Sequence, residues 1–107
     1  MKLTKKETRA LKELRKSLTG EYPVIDMRLY GSKARGDADP DSDLDVMIEL
    51  SDCNPQIMAD IDERVYQINL EHDVLISTLI FGRSELETGP MSESPIYKVI
   101  QLEGIPL

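Results

Sequence analysis

The run Asp43-Leu44-Asp45-Val46-Met47-Ile48-Glu49-Leu50 alternates acidic and aliphatic residues except at Met47. Successive side chains of a strand point to opposite faces, so Leu44, Val46 and Ile48 can reach a core only if Asp43 and Asp45 turn together to the other side. The two carboxylates then stand about 6–7 Å apart along one face. Two anions aimed at one point are unfavourable unless a cation lies between them. Any fold for this chain must therefore cover one face of a sheet and leave an acidic, cation-seeking place on the other.

The flanking segments supply the cover. Thr4 and Glu7 form a capping box, and Leu3, Leu11, Leu14 and Leu18 recur at helical spacing up to Gly20, expected to be a left-handed stop. Val24–Tyr30 reads as a strand after Pro23. Gly31 to Gly36 reads as a turn with room for one helical turn, and 37–42 as a polar loop punctuated by Pro40. Leu44–Leu50 is the second strand. Asp52 or Asn54, with Pro55, opens a helix whose apolar stripe is Ile57, Met58, Ile61, Val65 and Ile68. Val74–Ile76 is a short third strand, extensible to Ile80. Residues 81–92 read as loop, with Gly82, Gly89 and Pro90, and Ser94-Pro95 opens a last helix that Gly104 closes. The order α-β-β-α-β-α gives an α/β class: one domain over residues 1–107, with a small mixed sheet packed against helices.

Composition fits a small globular domain. The 107 residues are 40% hydrophobic and 31% charged, which excludes collagen-like and wholly disordered classes. No apolar run is long enough to span a bilayer, and no signal peptide is visible, so no membrane role is expected. A single cysteine, Cys53, fits a reducing cytoplasmic location. The net charge of −7 is unevenly spread: residues 1–36 carry ten basic and four acidic side chains, residues 37–107 three basic and sixteen acidic. An acidic body disfavours direct nucleic-acid binding, which is driven by cationic contacts to phosphate.

Chemistry concentrates between Tyr30 and Glu49. Magnesium prefers hard oxygen ligands and is commonly held by one or two carboxylates plus substrate phosphates, which suits Asp43 and Asp45. Asp73 is expected to open the third strand and, with that strand beside the second, to complete a three-carboxylate cluster able to hold two metals. Gly31 lets the backbone approach a phosphate, Ser32 adds a hydroxyl, and Lys33 and Arg35 add positive charge. The alternating Asp37, Asp39, Asp41, Asp43 and Asp45 do not form an EF-hand: Ser42 or Leu44 stands where Gly is needed, and Ile48 or Leu50 where Glu is needed.

Gly31-Ser32, ten intervening residues and Asp43-Leu44-Asp45 resemble the signature of the polymerase-beta-like nucleotidyltransferase superfamily. The fuller run Gly-Ser-Lys-Ala-Arg-Gly…Asp-Ser-Asp-Leu-Asp is similar to its minimal nucleotidyltransferase subfamily, with Lys33 where Arg is common. The resemblance covers roughly residues 24–80 and implies the nucleotidyltransferase fold. It implies two Mg2+ ions on Asp43, Asp45 and Asp73, with Asp73 also helping to deprotonate the acceptor. ATP would be the co-substrate, its phosphates held by Gly31 and Ser32, with Arg35 in the nucleotide site. It further implies transfer of AMP to a hydroxyl, expected to be a tyrosine, of a HEPN-type RNase toxin in a hetero-oligomer, with this chain as antitoxin. The alternatives are an inactive antitoxin that neutralises its partner by binding alone, and a nucleotidyltransferase with a small-molecule acceptor.

Overall fold

Helix α1, Lys5–Thr19, begins with the expected box: the Glu7 N–H donates to Thr4 Oγ1 at 3.1 Å and the Thr4 N–H to Glu7 Oε1 at 2.9 Å. Ala10, Leu11, Leu14 and Leu18 form its buried stripe. The helix ends at Gly20 in the right-handed region, with φ −79° and its N–H on the Leu18 carbonyl, so the expected left-handed stop is not used. The chain is seen here as a computed structural model that describes residues 3–37, 39, 42–87 and 93–107. Pro40 and Asp41 of the acidic loop, and Gly89 and Pro90 of the later one, lie outside the described residues.

Strand β1 (Val24–Tyr30) runs directly into a one-turn helix α2 (Gly31–Arg35). Strand β2 (Leu44–Leu50) pairs antiparallel with β1, with Tyr30 opposite Asp45. Helix α3, Pro55–His72, starts at Asn54, whose side chain accepts the Ile57 N–H at 2.9 Å, with Pro55 at the first helical position. Ile61, Val65 and Ile68 are buried as expected, whereas Met58 is 39% exposed and leaves the stripe. The third strand, β3, is Ile76–Gly82 rather than a segment opening at Val74. It lies parallel to β2, with Leu44 opposite Ile76 and Asp45 opposite Ser77. Part of the expected loop after it is a short helix, α4 (Arg83–Glu87). Helix α5 (Pro95–Glu103) follows, and a two-residue strand β4 (Ile105–Pro106) adds to the far side of β1. The sheet order is β3-β2-β1-β4.

Two layers of apolar packing separate the faces of this sheet. Leu29, Val46, Ile48 and Ile76 join the stripes of α1 and α3 in the larger core. Met47 and Phe81 face the other way and pack with Leu86 of α4 and Ile100 of α5, flanked by Tyr30, Leu79 and Tyr97. Phe81 and Tyr97 meet edge to face at 5.5 Å between centroids. The α1–α3 contact is further tied by Arg64, whose guanidinium reaches Ser17 at 2.7 Å, pairs with Glu21 and stacks over Tyr22. No helix among the described residues is long and apolar enough to cross a membrane.

Candidate active site

Asp45 stands on the α5 face of β2, the face it shares with Met47. Asp43, two residues earlier, has the same parity and lies close enough to raise the Asp45 carboxyl. Burial is the first cause of that upward shift and the like charge of Asp43 the second. The pair is thus held together against its own repulsion, the condition inferred from the sequence.

Gly31 makes the close packing feasible. Its φ of 76° lies in the left-handed region, and a Cβ built there would meet Asp45 Oδ2 at 2.6 Å. The Asp45 carboxylate occupies the space any other residue would need. The opening of the short helix α2 and the acidic pair therefore form one unit rather than two neighbouring motifs. No side chain caps the start of α2, where Ser32 sits.

The remaining expected site residues divide differently. Lys33 turns away from the site: it is buried, and its ammonium meets Glu7 of α1 at 3.1 Å. Burial alone would raise the Glu7 carboxyl, but the Thr4 N–H and the Lys33 ammonium outweigh it and hold the group below its ordinary value. Arg35 bridges Asp37 at 3.2 Å and Glu103 of α5 at 3.3 Å, tying α2 to the last helix.

Asp73 is not on a strand. It is the residue that ends α3, in the left-handed conformation at φ 51°, and its side chain is 95% exposed and paired with Lys6 of α1 at 3.1 Å. It ends one helix of the α1/α3 layer and pairs with the other. The expected three-carboxylate cluster does not form among the described residues. The one trio of metal-type ligands whose atoms lie within 4.8 Å of one another is Glu13, Glu71 and His72, at the α1–α3 junction. There His72 is paired with Glu13. The reason for the difference is local: three residues, Asp73 to Leu75, turn the chain from α3 into β3, so the strand starts later than its hydrophobicity suggests.

Sequence reading gave no part to Tyr30 or Ser77. Both are cross-strand neighbours of Asp45, one on each side. Burial and the nearby Asp45 push the Tyr30 hydroxyl above its ordinary value, so it stays protonated beside the carboxylate. Only the pairing register reveals these two residues.

Asp43 and Asp45 thus form a half-buried carboxylate pair, with Asp45 wedged against a glycine that opens a helix at a strand end. The nucleotidyltransferase domain family matches residues 11–92, and the chain belongs to it. The whole fold superposes on a solved structure described provisionally as a minimal nucleotidyltransferase, with TM-score 0.63, 24% identity and both chains fully covered. It also resembles a nucleotidyltransferase-like structure from Sulfolobus solfataricus, with TM-score 0.51 and 16% identity, over 95% of this chain and 76% of that one. At these identities the two structures establish the fold. No curated protein matches the chain. Members of the family generally use a nucleoside triphosphate and a divalent metal.

Proposed function

We propose that this chain transfers AMP from ATP to a hydroxyl, expected to be a tyrosine, of a HEPN-type RNase toxin, the hydroxyl oxygen attacking the α-phosphorus as pyrophosphate leaves, and so acts as its antitoxin. The observation that carries the reaction class is the Asp43–Asp45 pair closed against Gly31. Its two hard oxygen donors suit Mg2+, and a divalent cation relieves both the burial and the Asp43 repulsion that lift the Asp45 carboxyl. Bound there, Mg2+ would neutralise charge on the triphosphate. Asp43 and Asp45 would hold and orient that cation. The Gly31 backbone and the Ser32 hydroxyl receive phosphate oxygens, and Arg35 braces α2 through Asp37 and Glu103. The toxin and its hydroxyl rest on the resemblance of residues 31–45 to the minimal subfamily.

The test is incubation with labelled ATP, Mg2+ and a candidate HEPN protein, followed by mass analysis of that protein. An added AMP that disappears with Asp43→Ala/Asp45→Ala, by on the order of 100-fold or more in rate, supports the reading. A second reading, neutralisation by binding alone, is favoured by one observation: Asp73 does not join the acidic pair. Under that reading no AMP is added, and the double variant inhibits the toxin as well as the wild type does.

A further inference from the structure

The sheet register fixes what can stand beside the acidic pair. Leu44 donates its N–H to the Leu75 carbonyl at 2.8 Å, and the parallel ladder then runs Leu44–Ile76, Asp45–Ser77, Val46–Thr78. Ile76 and Ile80 pack into the α1/α3 core, whereas Leu79 and Phe81 pack with Met47 on the opposite face. Ser77 therefore shares the face of Asp45, directly across from it, and is exposed. Neighbouring strands lie about 4.8 Å apart. A carboxylate at 77 would be the nearest that β3 could offer to Asp45. The next position on that face toward Asp43 is Leu75, which cannot ligate. On the other side β1 offers Tyr30, a phenol rather than a carboxylate. Both strands flanking Asp45 thus withhold a third carboxylate, and Asp73, which precedes β3, is engaged with Lys6 of α1.

From this we infer that Ser77 limits the site to a single divalent cation. That cation is held by Asp43 and Asp45 with the nucleotide's phosphates, and the inference rests on the nucleotidyltransferase reading of the pair. A bridging arrangement of two metals, about 3.5–4 Å apart, needs more anionic oxygen than two carboxylates on one strand supply. Ser77→Asp supplies it from the β3 position directly across from Asp45. The substitution is at an exposed site, so the fold should tolerate it.

The experiment is titration of the full chain with Mn2+ in the presence of a non-hydrolysable ATP analogue, read by electron paramagnetic resonance. An Asp45→Asn chain identifies ions bound elsewhere, such as at Glu13, Glu71 and His72. The wild type should hold one Asp45-dependent Mn2+ with an uncoupled spectrum, and Ser77→Ala should match it. Ser77→Asp should hold two, with a spin-coupled spectrum and binding tighter on the order of tenfold, as added ligand charge raises affinity. Two Asp45-dependent, coupled ions in the wild type overturn this inference and leave the nucleotidyltransferase reading standing. A Ser77→Asp chain that melts like the wild type yet still binds one ion overturns it as well. No Asp45-dependent Mn2+ in the wild type overturns the reading of the site itself, and the inference with it.

Discussion

The two faces of the sheet treat buried charge in opposite ways. On the α1/α3 side, Glu7 and Lys33 are both buried and opposite in sign, 3.1 Å apart, with Glu7 also serving the capping box. On the α5 side, Asp43 and Asp45 have the same sign and neighbouring positions, no partner of opposite charge stands beside them among the described residues, and burial together with that like charge raises the Asp45 carboxyl. The first arrangement is complete within the chain. The second becomes favourable only when something positive arrives from outside. A small domain with little core to spare thus concentrates its electrostatic strain at the place where a ligand can relieve it.

The contrast can be broken from either side. The largest expected effect is at the satisfied pair. Lys33→Met leaves the Glu7 carboxylate without its ammonium partner, and urea unfolding should show a loss of about 3–5 kcal/mol. An unchanged midpoint would mean that the pair is not a structural tie and would return Lys33 to the phosphate site. Gly31→Ala comes next. It forces a Cβ into the left-handed region and onto Asp45 Oδ2, so stability should fall by about 1–2 kcal/mol from the backbone alone. Metal-dependent nucleotide binding should weaken with it as Asp45 is displaced. Binding that survives intact would separate the glycine from the acidic pair.

The smallest effect has the opposite sign. Because the fold raises the Asp45 carboxyl, its contribution is intact below the ordinary value of 3.8 and is lost as pH rises through the raised one. At neutral pH without metal the ionised group opposes folding. Asp45→Asn should therefore melt a few degrees higher than the wild type in a chelator, and the gap should close as the pH is lowered toward the ordinary value. Glu7 supplies the internal contrast: its lowered carboxyl stabilises above its ordinary value of 4.5, and that contribution is lost as the pH falls below it. Melting curves across acidic to neutral pH check both signs at once. A variant that melts lower than the wild type at neutral pH would show that Asp45 is satisfied within the chain.

Much of the fold was legible because local rules and the hydrophobic pattern agreed. The Thr4–Glu7 box, the Asn54-Pro55 start and the alternation of Leu44 to Leu50 each depend on neighbours within a few residues, and each appears as expected. Gly31, Asp43 and Asp45 also come together, since a strand end and a strand face were enough to place them. Lys33 was misplaced because helix direction within a single turn cannot be read from composition. The partner that draws Lys33 inward, Glu7, is distant in sequence and is brought near only by packing of α1.

By itself, then, the sequence determined an α/β domain, its main helices and strands, and a pair of aspartates sharing one face, all consequences of short-range periodicity and capping. Tertiary structure alone decided which charges meet. It sent Asp73 to Lys6, Lys33 to Glu7 and Arg35 to Glu103, and it set Ser77 and Tyr30 on either side of Asp45. The physical reason is that strand register and helix docking are fixed by burial of the whole core, and the placement of every polar group on the surrounding faces follows from them.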